Sequence, residues 1–345
     1  MKVRHEGDTM RNAALRRMGI TAAVTALVAG LTACGGGAGS EGGTLNWRLA
    51  ETHPSDYPTT QADQWFADQL RKRSDGRINI EVYPDAQLGE ERDVLEQMQL
   101  GSIELNRTNA NLVGEFVPSW EAFGIPYLFD DSEHFWRFLR GEGGQAKLDE
   151  LSEAGVVGLT YYDSGARSVY TTGEPVESPA DLAGRNIRVQ PGSVTADVID
   201  AFGGSATTMS FSEVYSSLET GVIDGAENNF PSYVSTRHYE VAGNYTLTEH
   251  QRVPEVLMIS QTAWDQLSEQ DKELVRTVAR ESTEKQRELW AEEVEQSRQV
   301  LEDNGVTITE LDDRGEFERA VSALREAEAG AYADFLEAVE AARQP

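Results

Sequence analysis

The chain has 345 residues, with 30 Lys and Arg against 59 Asp and Glu, a formal net charge of −29 and a single cysteine. That length allows about two domains, because single cores stop growing near ~250–300 residues, and an apolar fraction of 39% with six Trp, eleven Tyr and eleven Phe suffices to pack them. The acid excess argues against nucleic acid and anionic membrane surfaces as partners. One cysteine excludes an intrachain disulfide and a four-thiolate zinc site, and the five histidines are scattered without a close pair, so neither a metal nor a cofactor is expected.

Residues 2–17 hold five basic and two acidic groups, and Arg16 and Arg17 stand just before an apolar run from Ile20 to Ala33. Fourteen residues make a helix of about 21 Å, short of the ~30 Å hydrocarbon core, so residues 1–33 read as a signal peptide. The run ends Leu31-Thr32-Ala33-Cys34 and passes into GGGAGSEGG, which resembles the bacterial lipobox. Cys34 is then the lipidated first residue of the mature protein, and residues 34–43 are a flexible tether. Without residues 1–33 there are 25 basic and 57 acidic groups, a charge of −32.

In the body, Leu45, Trp47 and Leu49 alternate as a half-buried strand does. A helix follows Pro58 with Trp65, Phe66 and Leu70 on one face, Gly76 stops it, and Ile78, Ile80 and Val82 form a second strand. Further units follow: a helix over 90–100, a strand over 102–107, a buried strand from Gly155, a strand over 186–189 and a helix over 194–202. Ser210 and Glu213 form a capping box for a helix over 211–220, closed by Gly221 before a strand at Val222-Ile223. From Ser268, helical spacing runs about 35 residues to Asp303, some 50 Å, long enough to span two domains or to kink. A strand over 306–309 and a helix over 316–342 end this α/β chain.

Read in order, ETHPSDYP (51–58), GRINIEVYPDAQLGEERDVLEQMQLGSIEL (76–105), YYDSGARSVYTT (161–172), SPADLAGRNIRV (178–189), FSEVYSSLETGVIDGAENN (211–229) and RHYEVAGNYTLTEH (237–250) resemble the DctP family. These are the solute-binding proteins of tripartite ATP-independent periplasmic (TRAP) transporters. The resemblance implies a two-lobed periplasmic-binding-protein fold with exchanged strands, class II-like. The first lobe would comprise 44–164 plus 253–292 and the second 165–252 plus 293–345, with the long helix across both. It also implies an extracytoplasmic protein that closes on an acidic solute and delivers it to a permease of small and large membrane subunits.

The resemblance carries over residue by residue. Arg188 of NIRV takes the place of the family's carboxylate clamp, and a planar guanidinium suits that role by donating two parallel hydrogen bonds. Arg167 of DSGARS matches a second cleft arginine, unless it pairs only with Asp163 or Glu174. Arg107 follows a strand end, either at the site or on the surface. Asn228 and Asn229 lie in GAENN, where many members read GQENP, and both are expected to bind the solute, although Ala226 and Asn229 depart from that pattern. Gln190, two residues after Arg188, is expected to bind it as well. His53, in the loop THP, either contacts the solute or is structural, and Glu91 either accepts hydroxyl hydrogen bonds or is solvated. Trp120, Phe123 and Tyr215 read as core.

Three arginines exceed what a neutral sugar needs, because unpaired buried cations are costly. Together with TRHYE, the GARS and GAENN motifs resemble the branch that binds hexuronates such as glucuronate or galacturonate. A C4-dicarboxylate is the alternative within the same role. The competing class is a secreted uronate lyase or hydrolase using paired carboxylates, but the chain has no GxSxG, and GEGGQAK lacks the Walker spacing. The expectation is therefore a binding protein and not an enzyme.

Overall fold

The computed structural model describes residues 43–343. The signal peptide, Cys34 and all of the tether but Gly43 lie outside the described residues. Two sheets form the body. The first contains β1 (Leu45–Ala50), β2 (Ile78–Tyr83), β3 (Leu105–Asn109) and β4 (Val156–Tyr162). The second contains β5 (Arg167–Thr171), β6 (Asn186–Val189), β7 (Ser205–Thr208), β8 (Gly225–Asn228) and β9 (Asn244–Gln251). The chain then returns to the first sheet with β10 (Glu255–Ser260) and ends strand formation in the second with β11 (Thr307–Thr309).

The spatial orders are β2-β1-β3-β10-β4 and β11-β9-β5-β8-β6-β7. In the first sheet β1 runs parallel to β2 and β3, whereas β10 lies antiparallel between β3 and β4. In the second, β5 is antiparallel to β8 and β9, and β6 is parallel to β7 and β8. Parallel strands need crossover helices, which cover both faces of each sheet and bury its central strands, β3, β5, β8 and β10, while the edge strands β2, β7 and β11 stay partly exposed. Cores accordingly come in pairs: Trp120, Phe123, Phe135 and Met258 on one face of the first sheet, Leu49, Phe66 and Val275 on the other. Ile187, Val198 and Phe202 fill one face of the second, Tyr170, Tyr233 and Tyr245 the other.

The helix Glu269–Asp303 is continuous over 35 residues, opened by Ser268, whose hydroxyl accepts from Asp271 N at 3.1 Å. It packs on the helix Pro58–Arg73 and β4 of the first lobe and on the helix Phe230–Ser235 of the second. Gln286 ties it to the crossover between the sheets, donating to Asp163 O at 2.9 Å and accepting from Asp163 N at 2.8 Å.

Several expected elements differ. No strand forms at Val222-Ile223; Val222 is exposed and the strand starts at Gly225, where β8 meets β5 and β6. The strand expected over 102–107 starts at Leu105, because Ile103 turns into the core below the sheet. The capping box of Ser210 and Glu213 is present, but it opens a 3₁₀ turn, Phe211–Glu213, before the helix Val214–Glu219. The last helix is three, Gly315–Ala320, Ser322–Ala331 and Ala333–Ala341. The breaks let Phe317 and Val321 pack in the second lobe while Phe335 returns to Phe123 and Phe138 in the first. The end of the segment 293–345 thus departs from the second-lobe placement that the resemblance implied. Tyr215 is half-buried on the surface, whereas Trp120 and Phe123 are core.

Gly165, between β4 and β5, has φ +63°, and a Cβ there would lie 3.1 Å from the Trp290 ring. Only glycine takes that backbone conformation without strain. Gly165→Ala should lower stability by about 1–2 kcal/mol, the ordinary cost of a left-handed non-glycine residue. Urea unfolding of the ligand-free protein measures it, and an unchanged midpoint would show that the crossover has slack to absorb the methyl group.

Candidate functional site

Where the strand ends of the two sheets face each other, they enclose a cavity of about 130 Å³. Open α/β sheets bind ligands at such carboxyl ends. Each of the expected positions, Arg107, Arg167, Arg188, Asn228, His53, Glu91, Asn229 and Gln190, borders this one cavity. The lobes touch around it: Tyr57 Oη lies 2.8 Å from Ser232 Oγ, Gln190 Nε2 donates to Asn109 Oδ1 at 2.8 Å, and Ser212 Oγ donates to Glu90 Oε1 at 2.5 Å.

The three guanidinium groups are all buried, at 1–3% exposure, yet their surroundings differ. Arg107 has all five N–H groups committed within the protein. Nε and Nη2 donate to the two oxygens of Glu51, Nη1 to Glu91 at 2.6 Å and Glu255 at 2.7 Å, and Nη2 also to Thr52 Oγ1 at 2.6 Å. Burial alone would lower its pKa, but the carboxylates of Glu51, Glu255 and Glu91 overcome that and raise it well above the usual value. The same pairing holds Glu51 far below the carboxylate range against the opposing effect of its burial. Arg107 therefore organises carboxylates and has no hydrogen left for a solute.

Arg167 is bound in a fork by Glu227, at 2.5 Å from Nε and 2.9 Å from Nη2, and Nη1 donates to Asn228 Oδ1 at 3.1 Å. Its partner is neither Asp163 nor Glu174, the two sequence candidates. Arg188 stands apart. Nε and Nη2 both donate to one carbonyl, Met209 O, at 3.1 and 2.8 Å, and no carboxylate pairs with it among the described residues. Three of its five N–H hydrogens are uncommitted. Burial pushes its pKa down, with Glu227 and Tyr170 acting the other way, as expected of a cation whose charge is under-compensated.

The remaining polar groups are oriented by their neighbours. Asn228 Oδ1 accepts from Arg167 and from Asn229 N at 2.9 Å, which leaves the amide NH₂ for the cavity. Asn229 is different: its Oδ1 caps the helix Phe230–Ser235 through Ser232 N, and its Nδ2 donates to Ser164 O at 3.0 Å, so both ends of its amide hold backbone. His53 Nδ1 is 2.9 Å from Glu51 Oε1 and 2.9 Å from Arg107 Nη2. The carboxylate is the stronger acceptor, so Nδ1 carries the proton and Nε2 is left as an acceptor. Its ring stacks on Tyr57 at 3.9 Å and meets the edge of Phe211 at 5.4 Å. Burial raises the Glu91 pKa, with Arg107 opposing and Glu255 reinforcing.

Sequence reasoning missed Glu51, Glu227 and Glu255, the partners that decide which arginine is available. Their signal was a carboxylate at the end of, or inside, a strand that is otherwise buried, where an unpaired charge is too costly to persist.

Two lobes closing on a polar cavity at their strand ends, with one under-compensated cation inside, define a solute-binding protein. The chain matches the DctP family, bacterial extracellular solute-binding protein family 7, over residues 49–330 and belongs to it as a TRAP solute-binding protein. A solute-binding protein of Chromohalobacter salexigens is 41% identical over 273 residues, covering 79% of this chain and 81% of that one. Among solved structures, a TRAP periplasmic solute-binding protein from Bradyrhizobium sp. in complex with α/β-D-galacturonate superposes with a TM-score of 0.83 at 39% identity, covering 85% of this chain and 99% of the other. Another from Chromohalobacter salexigens, with bound D-glucuronate, gives 0.83 at 38% identity over 86% and 99%. Among the described residues no helix is long and apolar enough to cross a membrane.

Behind Glu51 lies Asp63, fully buried, with Oδ1 accepting from Tyr162 Oη at 3.1 Å and Oδ2 without a partner. Burial, reinforced by Glu51, raises its pKa well above 3.8. A carboxyl whose folded pKa is raised contributes fully below its unfolded value and loses that contribution as pH rises toward the folded value. Asp63→Asn removes this loss, so its stability advantage over the natural protein should be small at pH 4 and should grow toward pH 8. Melting temperatures of both proteins across that range measure it; an advantage that shrinks with pH would mean Asp63 is ionised in the fold.

Proposed function

We propose that the cleft captures a hexuronate monoanion, such as D-glucuronate or D-galacturonate, by lobe closure. The observation that carries this is Arg188: it is the one cleft guanidinium with no carboxylate partner among the described residues and with donors to spare. A solute carboxylate there would gain charge-assisted hydrogen bonds and relieve the buried cation. The galacturonate and glucuronate complexes of the similar proteins support the same solute class.

The geometry also revises the earlier argument from three arginines. With Arg107 and Arg167 already paired, the cavity accommodates one carboxylate, and a second would meet Glu91 and Glu255. That disfavours a C4-dicarboxylate. It favours a monoacid with several hydroxyls, whose O–H groups can donate to Glu91, Glu255 and His53 Nε2 while Asn228 donates to an oxygen. Closure would bring Arg188 and Asn228 from one lobe onto His53 and Glu91 from the other, so only a solute that contacts both lobes shifts the equilibrium. The loaded form would then hand its solute to the small and large permease subunits. Residues 44–164 plus 253–292, against 165–252 plus 293 to about 331, are the moving bodies in this reading.

Thermal melting with D-glucuronate, D-galacturonate, succinate and glucose tests the proposal. A solute at ~100 times its Kd adds about 2.7 kcal/mol and should raise the melting temperature by several degrees for the uronates, with no shift for glucose. Arg188→Gln should melt like the ligand-free natural protein and show no uronate shift; a retained shift would remove Arg188 as the clamp, and no shift with either uronate would sink the solute class.

We also propose that residues 1–33 are a signal peptide and that Cys34 is lipidated, on the support of the LTAC sequence and the glycine tether. Detergent phase partition of the protein made in a bacterial host should place it in the detergent phase and Cys34→Ser in the aqueous phase. Equal partition of the two would exclude the anchor.

A further inference from the structure

A second, larger cavity of about 480 Å³ lies on the other face of the crossover, within the ~300–1,000 Å³ range of small-molecule sites. Strand alternation places it there: Arg167 faces the cleft, and its neighbours Ala166 and Ser168 line this second cavity. One face of the long helix closes it, with Arg287, Trp290, Val294 and Arg298, and Phe230 and Tyr245 complete an apolar wall.

Its charges do not cancel. Asp163 keeps its charge but turns both oxygens to neutral donors, Trp136 Nε1 at 2.9 Å and Gly165 N at 2.8 Å, and pairs with no arginine among the described residues, while Glu249 pairs with Arg314. Arg298 pairs with Glu302 at 3.2 Å and Glu310 at 3.0 Å. Two guanidinium groups are left. Arg252, half-buried on the link from β9 to β10, donates to no acceptor among the described residues. Arg287 lies over the Trp136 ring at 4.5 Å, reaches Glu284 only at 3.4 Å through Nη1, and has a buried Nε with no acceptor. In a chain of net charge −29, two under-compensated arginines beside an aromatic wall describe a receptor for an anion with a flat apolar body.

We propose that this cavity is a second binding site, for a small aromatic carboxylate, and that filling it favours the closed form of the cleft. The second part rests on the closure reading above. The lobes are joined by the crossovers β4–β5 and β9–β10, with the cleft on one side and this cavity on the other, so a rotation that opens the front narrows the back. A body lodged between the crossovers and the long helix resists that rotation. Asn229 borders both cavities and connects them: it holds Ser164 O on the crossover and caps the helix whose Ser232 meets Tyr57 across the cleft.

The test titrates 4-fluorophenylacetate into the purified protein and reads broadening of its ¹⁹F line. The natural protein and Arg188→Gln should bind the probe equally, whereas Arg252→Gln should bind about tenfold more weakly, the ordinary effect of losing one charged hydrogen bond. D-glucuronate at saturation should tighten the probe by about fivefold or more, as a coupling between two sites requires. No broadening in any protein overturns the site. Loss in Arg188→Gln with retention in Arg252→Gln also overturns it, since the probe would then sit in the cleft. A probe affinity unchanged or weakened by bound glucuronate overturns the link to closure. If glucuronate itself does not bind, which melting reports separately, the hexuronate reading fails while the comparison of Arg252→Gln with Arg188→Gln still decides the second site.

Discussion

A buried guanidinium must find a negative charge, and the interior of this protein is arranged around how far that demand is met. Arg107 is met in full by Glu51, Glu91 and Glu255, and Arg167 by Glu227, so each acts as a rigid internal salt that holds strand ends in place. Such pairs add little net stability, because desolvation offsets most of their attraction, but removing one partner is strongly unfavourable. They are better understood as fixing geometry. The demand of Arg188 is left open among the described residues, and the proposal of an anionic solute rests on that omission.

The result separates two meanings of charge. Overall the chain is strongly acidic, which would repel an anionic solute if distance did not matter. At ~0.15 M salt the Debye length is about 8 Å, so surface carboxylates are largely screened from the cavity, whereas groups lining it interact across little water. Around the cavity itself four arginines, Arg92, Arg107, Arg167 and Arg188, face four acids, Glu90, Glu91, Asp93 and Glu255. A count by type therefore comes out even, and what distinguishes the cations is which of them lacks a partner among the described residues.

Much of the architecture was legible before any coordinates. The alternation at Leu45, Trp47 and Leu49, the cap at Ser268 and the stops at Gly76 and Gly305 all act within a few residues, and the elements they predict are present. The positions that the motifs pick out all border one cavity, so the place of the candidate site was legible even where the roles of its residues were not. What stayed hidden depends on distant partners. Glu227 meets Arg167 only because β5 and β8 are neighbours, and Arg107 meets Glu255 only because β10 inserts between β3 and β4. Asn229 reads as a ligand group by sequence, but its amide is drawn to a helix cap and a crossover carbonyl. The three-part C-terminal segment was equally hidden, because its breaks answer to two lobes at once.

The insertion of β10 between β3 and β4 also bears on how the chain becomes a protein at all. When the chain emerges from its N-terminus, β3 and β4 are both present long before β10, and each carries an unpaired edge until residue 260 arrives. Neither sheet can be completed by a contiguous stretch, since the second also waits for β11. The fold is therefore completed late and depends on pairings between segments far apart in sequence, the slow regime for closing loops. In this chain that delay exposes strand edges that invite association with other chains. Its surplus of carboxylates, unimportant to the solute, then has a use in keeping half-made copies apart.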